Sequence, residues 1–303
     1  MLKSRLCIAF FAFAVGCAPA QKPLTDYVNP MLGTATLWDS VDLGFKPTKR
    51  TWGAEVFPGS SLPNAMVQVS PVTKFHSGAG YQYEDSVIYG FTHTNKGHWN
   101  LCHIPLLPVT GTPTPGDYCS PFSHERESAA PGYYQVFLDR YGVDAQLSST
   151  LRCAFHKYTY PAGAAASLLA DLQRSNEHVR AWDIRKEGDN VFAGWQQTGE
   201  KMYFYAVANR PVTGIEPVVE GDREVRIVRF GEGDGALELR IGFSFVSEKN
   251  ARENLEAEML GKSFAEVRSE ATATWNDLLG RIRVEGGTER EKGALRVRCF
   301  CTY

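Results

Sequence analysis

The pattern of apolar positions changes once along the chain, at Ser247. Before it, apolar side chains recur at every second position, most clearly at Leu237, Leu239, Ile241, Phe243 and Phe245. A period of two is typical of a strand with one buried face. Similar β-rich runs cover residues 66–69, 88–92, 133–138, 145–156, 157–160, 167–172, 190–196, 202–208 and 225–230. Short strands separated by glycine turns predict a mainly β protein, an antiparallel β-sandwich.

Residues 104–110 are also apolar, but they contain Pro105 and Pro108. Because proline cannot donate a hydrogen bond to a β-ladder, we expect an edge strand or a bulge there.

After Ser247 the apolar period becomes that of a helix. Ala251, Leu255 and Met259 lie four apart, and Gly261 is expected to end this helix.

Ser263 and Glu266 have the spacing of a capping box at the start of a second helix. Its apolar stripe continues to Gly280 and comprises Phe264, Val267, Ala271, Trp275 and Leu278. The stripes of both helices need a partner surface, which is either the sandwich or a further helical domain. Residues 282–292 predict a strand and a polar turn, and residues 293–303 show no apolar period.

The first 20 residues have the features of a targeting segment. Lys3 and Arg5 precede an apolar run, residues 7–15, that is too short to span a bilayer. Residues 18–20 (Ala-Pro-Ala) offer a cleavage site before Gln21. A second interpretation is that Cys17 is lipidated after cleavage. Both predict export, either to the periplasm or as a lipoprotein of the outer membrane.

Composition narrows the class of protein without naming it. The chain has 303 residues, of which 43% are hydrophobic and 22% charged, as in an ordinary globular protein. The formal net charge of −2 gives no electrostatic case for a nucleic-acid partner. Outside the targeting segment the cysteines are Cys102, Cys119, Cys153, Cys299 and Cys301. Their spacing fits no zinc pattern, and we expect Cys102 and Cys153 to be free and buried.

Candidate binding chemistry is densest in residues 50–103, where aromatic rings, histidines and amides alternate with glycines. Aromatic faces stack on flat apolar surfaces such as sugar rings, although the same composition also suits the corners of a β core. Glu125 and Glu127 would share a face of a strand and could pass for paired carboxylates. The turn residues Ser123 and Pro131 favour loop charges instead.

Several segments resemble glycoside hydrolase family 92, the exported calcium-dependent α-mannosidases. The segments are residues 27–34 (Tyr-Val-Asn-Pro-Met-Leu-Gly-Thr), 57–71, 80–85 (Gly-Tyr-Gln-Tyr-Glu-Asp), 88–94 (Ile-Tyr-Gly-Phe-Thr-His-Thr), 122–136, 154–159, 246–255 and 275–279. They occur in order over residues 27 to 292, which is far more specific than any one motif.

The resemblance implies an N-terminal β-sandwich, a helical linker and a C-terminal (α/α)6 barrel that this chain lacks. Members remove terminal α-linked mannose with inversion, which needs two carboxyl groups. Calcium helps to hold the sugar in the full-length enzyme. In the family the acid, the base and most metal ligands come from the barrel. We therefore assign no catalytic residue, no metal ligand and no bound calcium to this chain alone.

The resemblance also implies that sandwich loops contribute to the sugar pocket. The candidate substrate-binding residues are Trp52, His98, Trp99, Asn100, His103, Arg152 and Cys153. A tryptophan could stack on a sugar face, and the histidine, asparagine and arginine side chains could bond hydroxyls. Packed core rings and structural histidines are the alternatives. Arg152 and Cys153 alternate along a strand, so at most one of them faces the pocket.

The sequence thus predicts a signal peptide (1–20), a β-sandwich (21–246), a helical linker (247–281) and the truncated start of another domain (282–303). The predicted function is the sugar-facing half of an exported α-mannosidase that acts on N-glycans or mannans, with α-1,2 linkages the commonest guess, and is inactive in this form. The alternatives are a stand-alone carbohydrate-binding module and a cell-surface interaction domain without sugar specificity. The predicted partners are mannose-containing glycans, with a membrane only through a lipid anchor at Cys17.

Overall fold

The computed structural model describes residues 22–36, 56–97 and 99–301. The described chain is mainly antiparallel β-structure in two large sheets, followed by helices that lie on one of them. The predicted β-sandwich is therefore confirmed, and no barrel is evident within the described residues. The targeting segment and Trp52 lie outside these residues, as does His98.

One sheet has seven strands in the described chain. Their order across the sheet is β1 (Ser60–Ser61), β2 (Gln68–Val72), β4 (Gly90–Thr92), β7 (Leu106–Val109), β13 (Ser167–Ala170), β18 (Arg223–Phe230) and β17 (Val212–Glu220).

The facing sheet has eight described strands. Their order is β14 (Ala181–Lys186), β15 (Val191–Gln197), β16 (Lys201–Ala208), β19 (Leu237–Ser244), β12 (Cys153–Thr159), β11 (Val143–Ser149), β10 (Tyr133–Leu138) and β9 (Glu127–Ala130). Two small ladders pair β3 (Val87–Ile88) with β8 (Ser120–Pro121), and β5 (Asn95–Lys96) with β6 (Trp99–Asn100). Short 3-10 helices cover Leu24–Tyr27 and His124–Arg126.

The main core lies between the two large sheets. Along β19 the alternating residues Leu237, Leu239, Ile241 and Phe243 are all fully buried, as their period of two predicted. Burying such a side chain contributes about 1.5–3 kcal/mol, so the pattern fixes which face of each strand turns inward.

The expectation for residues 104–110 is wrong in part. Strand β7 lies inside the seven-stranded sheet, between β4 and β13, and not at its edge. Pro108 pairs with Leu168 of β13, and the ladder to β4 is at Phe91–Leu106. Because β4 is only three residues long, this interior strand tolerates Pro108, and Pro105 precedes the strand.

Three helices follow in the described chain: α1 (Glu248–Glu258), α2 (Phe264–Gly280) and α3 (Glu289–Cys301). The Ser247 side chain caps α1 by accepting a hydrogen bond from the Asn250 N–H. Ser263 and Glu266 form the predicted capping box of α2.

The outer face of the eight-stranded sheet is the partner surface of α1 and α2. A second apolar cluster joins the helices to strands β10 and β12, and its buried members are Tyr133, Cys153, Phe155, Leu255, Met259, Phe264 and Val267. Close approach depends on Gly242 of β19, because a Cβ there would lie 2.1 Å from the Ala251 carbonyl oxygen. Of the two partner surfaces open to the sequence, the sandwich is the one that the helices contact here.

The far end of α2 is tied to the first strand. Trp275 is 1% exposed, and its indole Nε1 donates to the Ser61 carbonyl oxygen at 2.7 Å. The buried stripe continues to Leu279 and not to the predicted Leu278, because Leu279 lies one helical turn after Trp275.

The strand predicted near residue 282 is wrong. Thr288 and Glu291 bond reciprocally, with the Glu291 N–H donating to Thr288 Oγ1 and the Thr288 N–H donating to the Glu291 carboxylate. This is capping-box geometry, and it starts α3 within the segment that the sequence predicted to be a strand and a polar turn. Among the described residues, no helix is long and apolar enough to cross a membrane.

Candidate functional site

One end of the sandwich carries a strained loop, Trp99–Ile104, which we name the His103 loop. Its residues Cys102 and Ile104 have φ of 54° and 53°, in the left-handed region. This conformation is uncommon for residues other than glycine and a genuine outlier for the β-branched Ile104. It costs about 1–2 kcal/mol per residue. Strain of this kind collects at functional sites, where surrounding contacts hold it.

Side-chain acceptors hold the strained backbone in place. The Cys102 N–H donates to Asn100 Oδ1 at 2.7 Å, and the Ile104 N–H donates to Gln196 Oε1 at 2.8 Å. The Asn100 amide also donates to the Thr92 hydroxyl and to the Ala79 carbonyl. Asn100 is fully buried, so its side chain maintains the loop and is not free to reach a ligand.

A second loop, which contains Ser175 and Asn176, binds the outside of the His103 loop. Ser175 Oγ donates to the Leu101 carbonyl oxygen at 2.7 Å, and Asn176 Nδ2 donates to the Asn100 carbonyl oxygen at 2.6 Å. Asn176 Oδ1 accepts from the N–H of His76, which also has a left-handed φ, of 61°. Three of the four non-glycine residues with positive φ in the described chain therefore meet at this end of the sandwich.

The imidazole of His103 is held at both nitrogens. Nδ1 lies 2.9 Å from Thr94 Oγ1, while Nε2 lies 3.0 Å from Thr198 Oγ1 and 3.3 Å from Glu177 Oε2. The Thr198 hydroxyl donates to the same Glu177 oxygen at 2.6 Å. These partners suit a neutral ring that accepts from Thr94 at Nδ1 and donates from Nε2.

Burial supports that assignment. His103 is 1% exposed, and loss of solvation lowers its pKa, although the Glu177 carboxylate opposes the shift. The imidazole is therefore neutral near pH 7, and its N–H is aimed at a carboxylate.

Glu177 connects this cluster to an open groove of about 780 Å³. The lining mixes charged, amide and aromatic side chains, and its members are His76, Gln173, Arg174, Ser175, Asn176, Glu177, His178, Val179, Arg180, Ala181 and Trp182. The volume is within the range of small-molecule sites, but the lining is more polar than usual for them, which suits a hydrophilic ligand.

Two of the groove's side chains are fixed by aromatic contacts. The Arg174 guanidinium lies 4.4 Å from the Phe75 ring centre and 5.0 Å from that of Tyr89. Arg226 lies 5.2 Å from the ring centre of Trp182. Such cation–π contacts restrict the rotamers of the wall before any ligand binds.

The predicted site residues between Trp99 and His103 divide between surface and interior. Trp99 is 39% exposed on β6, opposite Lys96 of β5, while Asn100 and His103 are buried as described above. Trp99 is not among the described residues that line the groove.

Arg152 and Cys153 point toward the helices. The Arg152 guanidinium pairs with Glu258 of α1, and Cys153 is fully buried in the cluster beneath α1 and α2. Burial raises the pKa of the Cys153 thiol, and Cys102 and Cys153 are both free and buried, as predicted. Neither Arg152 nor Cys153 is among the described residues that line the groove.

Sequence reasoning missed the residues that line the groove, among them Arg174 and Glu177, and it missed Thr198, which contacts Glu177 from behind. The available signal was the polar run of residues 173–178 between two β segments, which has neither helical nor strand periodicity. Polar loops of this kind often carry function when a rigid scaffold positions them.

The expectation for Glu127 as a loop charge is wrong. Its carboxylate is 1% exposed and accepts from the hydroxyls of Tyr81 and Tyr134 and from His124 Nδ1. Glu125 is exposed, so the two carboxylates do not form a pair.

The calcium expected for the full-length family was tested against the donor set. No group of three or more histidine, cysteine, aspartate or glutamate side chains within the described ranges could hold a metal ion. We therefore derive no step through calcium from the described residues.

Comparison with known proteins identifies the family. Residues 27–254 match the glycosyl hydrolase family 92 N-terminal domain, and residues 250–296 match the family's catalytic domain. The first match covers most of the chain, so the protein belongs to glycosyl hydrolase family 92.

Solved structures agree with this assignment. A family GH92 α-mannosidase of Bacteroides thetaiotaomicron is 25% identical, with a TM-score of 0.80 over 92% of this chain and 41% of its own. Its complex with mannoimidazole gives 25% identity and a TM-score of 0.79, over 92% and 40%. A protein of Arthroderma benhamiae named as an uncharacterized secreted glycosidase is 24% identical over 86% of this chain and 38% of its own. The chain thus spans about two fifths of the length of these relatives.

Proposed function

We propose that this chain forms the sugar-facing β half of a family 92 glycosidase that releases terminal α-linked mannose. N-glycans or mannans would be the source of that mannose, and α-1,2 the linkage. The observation that carries the proposal is the groove lined by Glu177, whose carboxylate also contacts the buried imidazole of His103. Support also comes from the similar mannosidase that was solved with mannoimidazole.

The groove has the chemistry that a sugar requires. Trp182 offers an aromatic ring for the apolar face of a pyranose, and Arg174 and His178 offer donors for hydroxyls. Trp99, exposed on β6, is a further stacking candidate, while His103 and Asn100 hold groove residues in place through their contacts with Glu177 and Asn176. Trp52 and His98 remain proposed contacts from the sequence.

The chemistry of bond cleavage would come from elsewhere in the enzyme. Inversion needs two opposed carboxyl groups, and among the described lining residues Glu177 is the carboxylate. We assign the acid, the base and the calcium ligands to the helical barrel that the resemblance implies. On this proposal the chain binds and orients sugar but does not hydrolyse it.

Export is part of the proposal. It rests on the positive start and apolar run of residues 1–20 and on the relative that is named as secreted. Cleavage before Gln21 and lipidation of Cys17 predict a periplasmic and an anchored protein, respectively.

A stand-alone carbohydrate-binding module is the second candidate, because the fixed polar side chains of the groove could bind a sugar without a catalytic domain. Calorimetric titration of the purified chain with methyl α-mannoside separates the two. We expect a Kd of roughly 1 mM or weaker for half of a site and about 10–100 μM for a complete module.

A hydrolysis assay with a nitrophenyl α-mannoside, with and without calcium, tests the chemistry. We expect no mannose release in either condition. Calcium-dependent release of mannose by this chain would overturn the assignment of catalysis to the barrel. Equal affinity for methyl α-glucoside would overturn the proposed recognition of mannose.

A further inference from the structure

We propose that Glu177 is the carboxylate on which the groove recognises a pair of neighbouring sugar hydroxyls, and that Thr198 and His103 position it. This inference rests on the proposed function and names the recognition element within it.

The two oxygens of Glu177 have different surroundings. Oε2 accepts from the Thr198 hydroxyl at 2.6 Å and lies 3.3 Å from His103 Nε2. Oε1 makes no hydrogen bond to any side chain or backbone group of the described residues, and the side chain is 38% exposed in the groove wall. One oxygen is therefore anchored while the other is presented to solvent.

The residues that hold Glu177 are themselves held by hydrogen bonds. Thr94 holds the far nitrogen of His103 at 2.9 Å, and the Thr198 N–H donates to the Glu200 carbonyl oxygen at 3.0 Å. The Glu177 N–H donates to Ser175 Oγ at 3.1 Å. A carboxylate held in this way has already lost its rotamer freedom, so a ligand does not have to supply that ordering free energy.

A presented carboxylate oxygen suits a sugar. Its lone pairs can accept two hydroxyl protons, and hydrogen bonds to charged acceptors are about twice as strong as neutral ones. Arg174 also lines the groove, and its guanidinium supplies donors for ring or hydroxyl oxygens. The groove thus offers both an acceptor and donors to a ligand with adjacent hydroxyls.

The test compares two isosteric variants in the same chain. Glu177→Gln removes the charge and turns one oxygen into a donor, whereas Glu232→Gln makes the same change at an exposed turn residue. We expect Glu177→Gln to weaken binding of methyl α-mannoside about tenfold by calorimetry, and Glu232→Gln to leave the affinity unchanged.

Positioning by Thr198 is tested by a rescue pair. Thr198→Val keeps the shape and removes the donor to Glu177, so we expect affinity to fall about threefold to tenfold. Thr198→Ser restores the hydroxyl and should restore affinity, which a packing role of the Thr198 methyl group would not do.

The outcomes separate this inference from the proposed function. Wild-type binding that Glu177→Gln leaves unchanged overturns the inference and leaves the proposed function intact. No binding of any mannoside by the wild type overturns both. If Glu177→Gln does not fold, single-deoxy mannosides on the wild type replace it: two adjacent positions should each cost affinity, and a flat series overturns the inference.

Discussion

Nε2 of His93 lies 3.1 Å from Nε2 of His156, and both imidazoles are fully buried between the sheets. His93 Nδ1 faces the His103 carbonyl oxygen at 3.4 Å, and His156 Nδ1 faces the Tyr158 hydroxyl at 2.5 Å. One consistent proton arrangement runs from the Tyr158 hydroxyl through both rings to the His103 carbonyl, and it requires both histidines to be neutral. The pair therefore supports the strained His103 loop from beneath.

Acid should destabilise the protein through this pair. Desolvation lowers the pKa of His93 to about 3, and burial with the neighbouring His93 lowers that of His156 well below its ordinary value. The unfolded chain, with pKa values near 6.5, binds protons that the folded chain does not. The stabilisation is complete above about pH 6.5 and is lost as pH falls below it, by about 1.4 kcal/mol per pH unit for each histidine.

Urea denaturation at pH 7.5 and 5.5 measures this effect. We expect a loss of about 3 kcal/mol in the free energy of unfolding from the two histidines. His156→Gln should reduce the slope by about half, while the exposed His76→Gln should leave it unchanged. Equal stability at the two pH values would contradict the buried neutral pair.

The Glu127 carboxylate should be a major contributor to stability. Glu127→Ala leaves the Tyr81 and Tyr134 hydroxyls without their acceptor, and we expect a loss of about 3–5 kcal/mol. Burial and the carboxylate raise the pKa of Tyr81, so both hydroxyls remain donors at any working pH. Glu125→Ala, two residues away and exposed, is the control and should change stability by less than about 0.5 kcal/mol. Similar melting temperatures for the two variants would refute the assignment.

Docking of α1 should depend on Gly242. An alanine there would bring its Cβ to 2.1 Å from the Ala251 carbonyl oxygen and 2.8 Å from the Leu255 Cβ. We expect Gly242→Ala to cost about 1–3 kcal/mol or more, measured by urea denaturation. Gly214→Ala is the matched control, since nothing lies within 4 Å of its added carbon. A wild-type denaturation midpoint for Gly242→Ala would mean that the helix can shift without cost.

Mannoside binding should weaken when Trp99 is removed. The ring is 39% exposed on β6, so Trp99→Ala removes a stacking surface without opening the core. We expect a threefold to tenfold loss of affinity for methyl α-mannoside, since base or sugar stacking on such a ring contributes about 1 kcal/mol. Trp195→Ala is the control, because that ring lies beneath Lys201 on the outer face of β15, outside the groove lining. Unchanged affinity in Trp99→Ala would remove this ring from the site.

The sequence predicted interior strands better than edge strands, for a physical reason. Strands such as β16 and β19 bury every second side chain, so apolar residues recur with a period of two in their sequence. Strands β9, β14 and β17 lie at sheet edges, carry mixed exposure and were not predicted. An edge strand needs only one neighbour and buries less, so its composition is less constrained.

The candidate site was predictable in one half only. The dense polar motif around His103 marked one loop, because histidine and amide side chains beside glycines are unusual in a strand. Glu177 and Thr198 reach His103 from 74 and 95 residues away. No local pattern records such a contact, since it depends on the pairing of whole sheets. In the same way, Glu127 is buried because the fold brings the hydroxyls of Tyr81 and Tyr134 to its carboxylate.

The hydrogen bond from Trp275 to the Ser61 carbonyl oxygen limits where the chain can be shortened. It joins a helix to a strand 214 residues earlier, and Asn276 likewise holds the Thr25 N–H. A shorter protein that stops before Ser247 would leave Phe155 and its apolar neighbours in water, which favours aggregation. For crystallisation or calorimetry, the sandwich and its two docked helices have to be expressed together.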